Sequence, residues 1–227
     1  MKSIYRSIFK KYESTNHILT FGLDILWRKR LVKAASRCPG NRCLDICTGT
    51  GETALLISGW GGTTRQVFAA DYSIDMLNIL KRKLKTSTVH ILGAKAMELP
   101  FPDQTFHLVT LSFATRNLFT TLTDLKKRFM EIHRVLKHGA FFLNLETSQP
   151  DSALIRWFFH RYASWIVYPL GSILSGKKKP YSYLANSMKN FFDAEELSEI
   201  LRETGYLNVT CKKMNWGSIA LHSAQKP

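Results

Sequence analysis

Apolar residues along this chain follow two rhythms in alternation. Short runs that are apolar nearly throughout are separated by stretches in which apolar positions recur every three or four residues. Leu23, Leu26, Trp27, Leu31 and Ala34 keep the helical spacing. They predict helix over residues 3–37, in two pieces broken near Thr20 and Gly22, until Pro39, Gly40 and Asn41 stop the pattern. Residues 43–47 read as a short strand, and a helix begins near Glu52. A second strand covers residues 66–71. Ser73 is a natural N-cap for a helix with Met76, Leu77, Leu80 and Leu84 on one face. A third strand is predicted over residues 88–92. Leu99-Pro100-Phe101-Pro102 is a rigid turn, and residues 106–113 are almost continuously apolar, as in a strand covered on both faces. Leu122, Leu125, Phe129, Ile132 and Leu136 define an amphipathic helix that Gly139 closes, before a strand over 140–145. A helix over 193–204, ended by Gly205, precedes two last strands, 206–212 and 216–224.

Strands alternating with helices imply a mostly parallel sheet with right-handed crossovers, a Rossmann-like α/β fold of seven strands. The final pair, separated by a turn, predicts one antiparallel strand at the edge. One domain is expected: N-terminal helices (1–38), a core (42–146), a cap or substrate insertion (147–192), and a C-terminal helix with edge strands (193–227). The cap interrupts the rhythm and is expected over the carboxyl ends of the strands, where α/β sites lie.

The informative loop is Asp45-Ile46-Cys47-Thr48-Gly49-Thr50-Gly51, between a buried strand and a helix. Glycines there permit a tight turn and bring bare backbone against a ligand. Asp71 ends the next strand, where a carboxylate can accept from both hydroxyls of a ribose. Gly49, Gly51 and Ala54 also fit the looser dinucleotide fingerprint, so a nicotinamide cofactor is an open alternative. Asp45 argues against it. A pyrophosphate wants backbone and a helix end, and a carboxylate beside it is repulsive. S-adenosylmethionine has no phosphate and carries an amine and a sulfonium, which suit Asp45 and Glu52, while the helix N-terminus can receive its carboxylate. Thr48, Tyr72, Met76, Ala96, Met97 and Ser112 complete the candidate cofactor-binding set.

Charge and cysteine content add limits. The chain has 32 basic and 17 acidic residues, a net +15, so anionic lipid and nucleic acid are both electrostatically attractive partners. Cys38, Cys43, Cys47 and Cys211 complete no metal-ligand pattern; Cys43 and Cys47 read as small buried or half-buried thiols. Nor do His17, His90, His133, His138, His160 and His222 show metal-ligand spacing, and no metal is assigned. Residues 154–174 are the most hydrophobic stretch, but Arg156, His160 and Arg161 make it a partly exposed helix rather than a membrane span. No Asn/Asp-Pro-Pro-Tyr/Phe run occurs, which makes nucleic acid an unlikely substrate.

Four further segments carry a resemblance. They are Lys11-Tyr12-Glu13-Ser14-Thr15-Asn16 with Phe21-Gly22 and Leu26-Trp27-Arg28; Phe113-Ala114-Thr115-Arg116-Asn117; Arg134-Val135-Leu136-Lys137 with Leu145-Glu146-Thr147-Ser148-Gln149-Pro150; and Tyr181-Ser182-Tyr183-Leu184 with Ser187. Together they make the chain resemble the ubiquinone/menaquinone biosynthesis C-methyltransferase family, over residues 11–224. The sequence departs from that family's usual pattern at Glu13, Lys95, His107 and Gln149. The resemblance implies methyl transfer from S-adenosylmethionine to a ring carbon of demethylmenaquinol or a related polyprenylated quinol. Another small-molecule acceptor and a non-catalytic binding protein are the alternatives.

Within that reading, Arg116 is the first candidate at the ring. A guanidinium is no free base at ordinary pH, but it can stabilise a developing quinolate oxygen or hold a water. Asn117 fixes that geometry or touches the cofactor. Glu146 either accepts the hydroxyl proton or pairs structurally with Arg116. Tyr183 either shapes the ring pocket or packs like Tyr181, and Asn16 either contacts the ring or caps a helix. A polyprenyl tail requires an apolar surface, which the cap supplies in Ile155, Trp157, Phe158 and their neighbours. That surface, with Arg161 and Lys177 to Lys179, predicts peripheral contact with anionic membrane, or else a homodimer contact. The expected location is cytoplasmic, at the inner face of the cell membrane.

Overall fold

The computed structural model describes residues 12–59, 65–84 and 89–227. The predicted helix over residues 3–11, Lys11 of the first motif and Thr88 of the third strand lie outside them. Helices α1 (Tyr12–Leu19) and α2 (Leu23–Ala35) precede strand β1 (Arg42–Ile46). Then come α3 (Glu52–Gly59), β2 (Gln66–Asp71), α4 (Ile74–Lys83), β3 (Val89–Gly93) and β4 (Phe106–Ser112). The chain continues through α5 (Thr115–Leu118), α6 (Leu122–Val135) and β5 (Leu136–Thr147). The cap comprises α7 (Ala153–Tyr162), a π-helical turn (Ala163–Val167), α8 (Tyr168–Ser175) and α9 (Lys178–Lys189). Helix α10 (Ala194–Glu203) leads to β6 (Leu207–Met214), a short turn of 3-10 helix (Asn215–Gly217) and β7 (Ile219–Gln225).

The seven strands form one sheet in the order β3-β2-β1-β4-β5-β7-β6. The order reverses between β1 and β4, and there the carboxyl ends of two parallel neighbours leave a crevice. Leu44 sits opposite both Phe68 and Val109, so the central strands are packed on both faces. One apolar cluster, around Phe106, Phe129 and Phe142, covers one face; a second, around Leu31, Ile57 and Leu80, covers the other.

The local signals explain most boundaries. Ser73 accepts from the Met76 amide at 3.4 Å, as its N-cap position predicts. Asp193 and Glu196 form a reciprocal capping box at the start of α10. The break between α1 and α2 falls at Gly22, whose φ is +75°.

Three expectations are corrected. The antiparallel strand is β7, which lies between β5 and β6 and is antiparallel to both, so the edge strand is β6. Gly139 does not close α6. The helix stops at Val135 because Leu136 turns extended to pair with Phe106, and the register shift between Phe106 and Leu108 absorbs residues 137–140. Trp216 does not begin the last strand. It sits in the preceding turn with φ +53°, and 81% of it is exposed.

Candidate active site

The strand ends at the crevice carry unusual backbone. Cys47, just after β1, and Phe113, just after β4, both have left-handed φ, +53° and +55°. Such non-glycine conformations are costly and concentrate at functional sites. They turn the chain sharply and open a cavity of about 1220 Å³ above the sheet. That exceeds the ~300–1,000 Å³ of an ordinary ligand cleft, enough for a cofactor and a second reactant together.

The floor of the cavity is the predicted loop. Asp71 Oδ2 accepts from the Gly49 amide at 2.8 Å, and Oδ1 accepts from the Ser73 amide at 2.7 Å. Asp45, buried beneath the loop, accepts from Thr48 Oγ1 and Thr110 Oγ1, both at 2.6 Å. Burial pushes the Asp45 carboxyl up to about 6, against the opposing hydrogen bonds from Thr110 and Thr48. Burial raises Asp71 as well, and the Ser73 and Gly49 amides oppose it. Two carboxylates held at such cost form a floor that a cation would relieve.

The glycines divide their work. A Cβ at Gly49 would meet nothing within 4 Å, so this bare backbone faces open space. A Cβ at Gly51 would fall 2.1 Å from Leu80 Cδ1. Gly51 therefore lets α3 pack on α4 and is absent from the cavity wall. The other expected cofactor residues, Asp45, Thr48, Gly49, Asp71, Tyr72, Met76, Ala96, Met97 and Ser112, all line the cavity. An open Gly49 edge, acidic floor and apolar Met76 and Ala96 fit a cationic adenosyl compound.

The candidate ring residues separate. Arg116, Asn117 and Asn16 line the cavity, but Glu146 and Tyr183 do not. Glu146 is fully buried, with Oε1 3.3 Å from Arg116 Nε. It also accepts from the Arg116 amide at 3.2 Å and from the Thr147 amide and hydroxyl at 2.8 and 3.1 Å. With its lone pairs engaged and no cavity face, it anchors Arg116; of its two expected roles the structural one matches this geometry. Arg116 is only 5% exposed, and its Nε and Nη1 are buried with no hydrogen-bond partner, Nε meeting Glu146 as an ion pair alone. Tyr183 stands behind the pair. Burial raises its phenol, Arg116 opposes and Glu146 adds.

Several wall residues carried no assigned role in the sequence. Arg28 donates to Thr53 Oγ1 at 2.8 Å, pairs with Glu52 at 3.1 Å and lies over the Phe113 ring. Thr53 in turn donates to Ser112 at 3.0 Å, which joins α2, α3 and β4 behind the floor. Trp27 donates to Asn215 at 3.2 Å, which brings the turn before β7 to the cavity. Arg28 lay inside a quoted motif, so its position was legible; nothing in sequence linked Asn215 or Trp216 to the site. Lys95 is an exposed part of the wall, and His107 is not on it. Gln149 donates to the Met188 carbonyl at 2.7 Å and contacts His160 at 2.8 Å, so it ties the cap to β5.

Folding also assembles a group that spacing did not predict. Ligand atoms of Glu13, His17 and Glu52 lie within 4.8 Å of one another. Lys83 neutralises Glu13, Arg28 neutralises Glu52, and Asp24 meets His17 Nδ1 at 2.8 Å. These are ion pairs that seat α1 against α3 and α4.

Sequence and structure comparisons agree with this geometry. Residues 1–226 match the ubiE/COQ5 methyltransferase family. A demethylmenaquinone methyltransferase of Staphylococcus aureus (strain JH9) is 34% identical over 224 residues, which span 98% of this chain and 91% of that protein. An S-adenosylmethionine-dependent methyltransferase from Thermotoga maritima superposes with a TM-score of 0.68 at 20% identity, covering 100% of both chains. The Haemonchus contortus phosphoethanolamine N-methyltransferase 2, in complex with S-adenosyl-L-methionine, gives 0.63 at 17% identity over 88% of this chain and 52% of that one. At such identities the two structures speak for the fold alone. With its whole length matched and its cavity floor suited to a cationic adenosyl compound, the chain belongs to the ubiE/COQ5 methyltransferase family and is an S-adenosylmethionine-dependent methyltransferase.

Proposed function

We propose that the protein methylates a ring carbon of a polyprenylated quinol, demethylmenaquinol in the first instance. The observation that carries this reading is Arg116: a buried guanidinium on the cavity wall, ion-paired to Glu146 through Nε, with neither Nε nor Nη1 meeting a hydrogen-bond acceptor. A buried donor of that kind calls for a ligand oxygen, and a quinol presents one beside the carbon to be methylated. The curated relative from Staphylococcus aureus, named for this substrate, adds support.

When bound, S-adenosylmethionine supplies a methyl group that is already electrophilic. The protein's share is positioning and proton handling. Asp71 would hold the ribose hydroxyls, Gly49 would admit the ligand against bare backbone, and Asp45 would favour the positive end. Tyr72, Met76, Ala96 and Met97 would enclose the base, with Thr48 and Ser112 beside the methionyl part. Loss of a hydroxyl proton to a water that Arg116 would hold would drive electron density onto the adjacent ring carbon, and Arg116 would stabilise the oxygen left behind; once that carbon is methylated, its own proton would leave to water and restore the aromatic ring. Asn117 and Asn16 flank the ring. The oxidised quinone is electron-poor and should not react.

The cap contributes a mainly apolar part of the wall, with Ile155, Phe158, Phe159, Tyr162, Leu184 and Met188. Each methylene of an isoprenoid tail buried there gains about 0.8 kcal/mol. No helix among the described residues is long and apolar enough to cross a membrane. In this reading the tail would be collected at a bilayer surface, on the cytoplasmic side.

The test is incubation with methyl-labelled S-adenosylmethionine and demethylmenaquinone, reduced or oxidised. Label in the quinol fraction only under reduction is the expected result. Absence of label with the reduced substrate, while the cofactor still binds, would overturn the assignment.

A further inference from the structure

The outer face of the cap has a composition that packing does not account for. No residue of α7 is buried. Trp157, Arg161 and Trp165 follow one another at spacings of four, and the guanidinium lies 5.0 Å and 4.8 Å from the two indole rings. Trp165 is 66% exposed, and Leu154 beside this stripe is as open. The exposed run Lys177 to Lys179 begins just beyond α8. The stripe is continuous with the cavity. Phe158 packs edge-on against Trp157 at 4.9 Å, is largely exposed, and also lines the cavity wall. Phe21 and Trp216, both about four-fifths exposed, line the cavity too and mark its mouth.

We infer that this face of α7 and the following π-helical turn docks on an anionic lipid bilayer, with the cavity mouth opening beside it. The inference rests on the quinol reading only for its purpose, transfer of a tailed substrate without passage through water. Indole rings with a guanidinium between them suit the depth of lipid headgroups, and the lysine run suits their charge. A second copy of the chain fits poorly. A two-fold contact through this face would bring together two copies that each carry a net charge of +15. A nucleic acid would use the cations and indoles but gains nothing from Leu154 and Ile173.

The experiment is flotation of the full chain with vesicles of phosphatidylcholine alone and of phosphatidylcholine mixed with phosphatidylglycerol. Binding should require the anionic lipid and weaken with salt. Trp157→Ser with Trp165→Ser should weaken it roughly tenfold. Lys177→Gln, Lys178→Gln and Lys179→Gln together should weaken it roughly a hundredfold. The tryptophans lie off the cavity wall, so methyl transfer to a soluble, tail-less quinol should be unchanged in the double variant, and transfer to a tailed quinol in vesicles should fall. Flotation that ignores lipid charge, or a double variant that floats like the parent, overturns the inference. So does a dimer in sedimentation that the same substitutions dissociate, or release from vesicles by an RNA oligomer competing for the same residues. Flotation involves no chemistry, so it stands or falls apart from the quinol assignment, which the soluble substrate tests alone.

Discussion

The guanidinium of Arg116 lies 3.3 Å from the carboxylate of Glu146; the carboxylate is fully buried and the guanidinium nearly so, at the cavity wall. This pair sets the separation of roles at the ring. Arg116→Ala should lower turnover far more than it lowers S-adenosylmethionine affinity, because the cofactor floor lies in other residues. Glu146→Ala should unfold more easily by about 3–5 kcal/mol, since it strands a buried cation. Urea unfolding together with calorimetric cofactor titration separates the two; equal losses of turnover and affinity in Arg116→Ala would contradict the division.

Asp71 joins the two loops at the cavity floor by accepting from Gly49 and Ser73. Charge-assisted hydrogen bonds contribute about 1.5–3 kcal/mol each, so Asp71→Ala should bind S-adenosylmethionine roughly 10- to 100-fold more weakly. Turnover at saturating cofactor should change much less. An affinity within error of the parent would remove Asp71 from the cofactor site.

The Asp45 carboxyl, raised by burial to about 6, gives cofactor binding a pH dependence. A folded pKa above the unfolded value means that stability from the neutral form is full at low pH and lost as pH rises through about 6. A cationic ligand favours the ionised form, so affinity should increase as pH rises through the same range. Titrations on either side of pH 6 should show this for the parent and not for Asp45→Asn.

His17 lies among Asp24 at 2.8 Å, Glu52 at 3.2 Å and Glu13 at 3.9 Å. Burial disfavours the imidazolium, but these carboxylates together outweigh it and raise the His17 pKa. The resulting stability is complete below the ordinary histidine value of about 6.5 and is lost as pH rises through the folded value. Thermal unfolding across neutral pH should therefore weaken more in the parent than in His17→Gln. Parallel curves would show that the latch does not titrate there.

The cofactor floor was legible because local chemistry fixed it: a glycine-containing turn, a carboxylate before it and another at the end of the next strand. The strand and helix rhythm likewise gave the sheet. What stayed hidden depends on contacts between distant segments. Asn215 meets Trp27 across 188 positions, and no local pattern announces such a pair. Glu146 read equally well as proton acceptor or anchor, and the burial and hydrogen bonds that favour the anchor come from folding, not from spacing. Gly51 sat in a ligand-like motif, but its lack of a side chain serves Leu80. The insertion of β7 between β5 and β6 follows from pairing partners that alternation alone does not specify.

The proposed donor and acceptor halves of the cavity come largely from different stretches of polypeptide. Residues from Asp45 to Met97, with Ser112, would build one; Asn16, Arg116, the cap and the turn at Trp216 would frame the other. Mutation can therefore reshape which acceptor is taken without disturbing the methyl donor's berth.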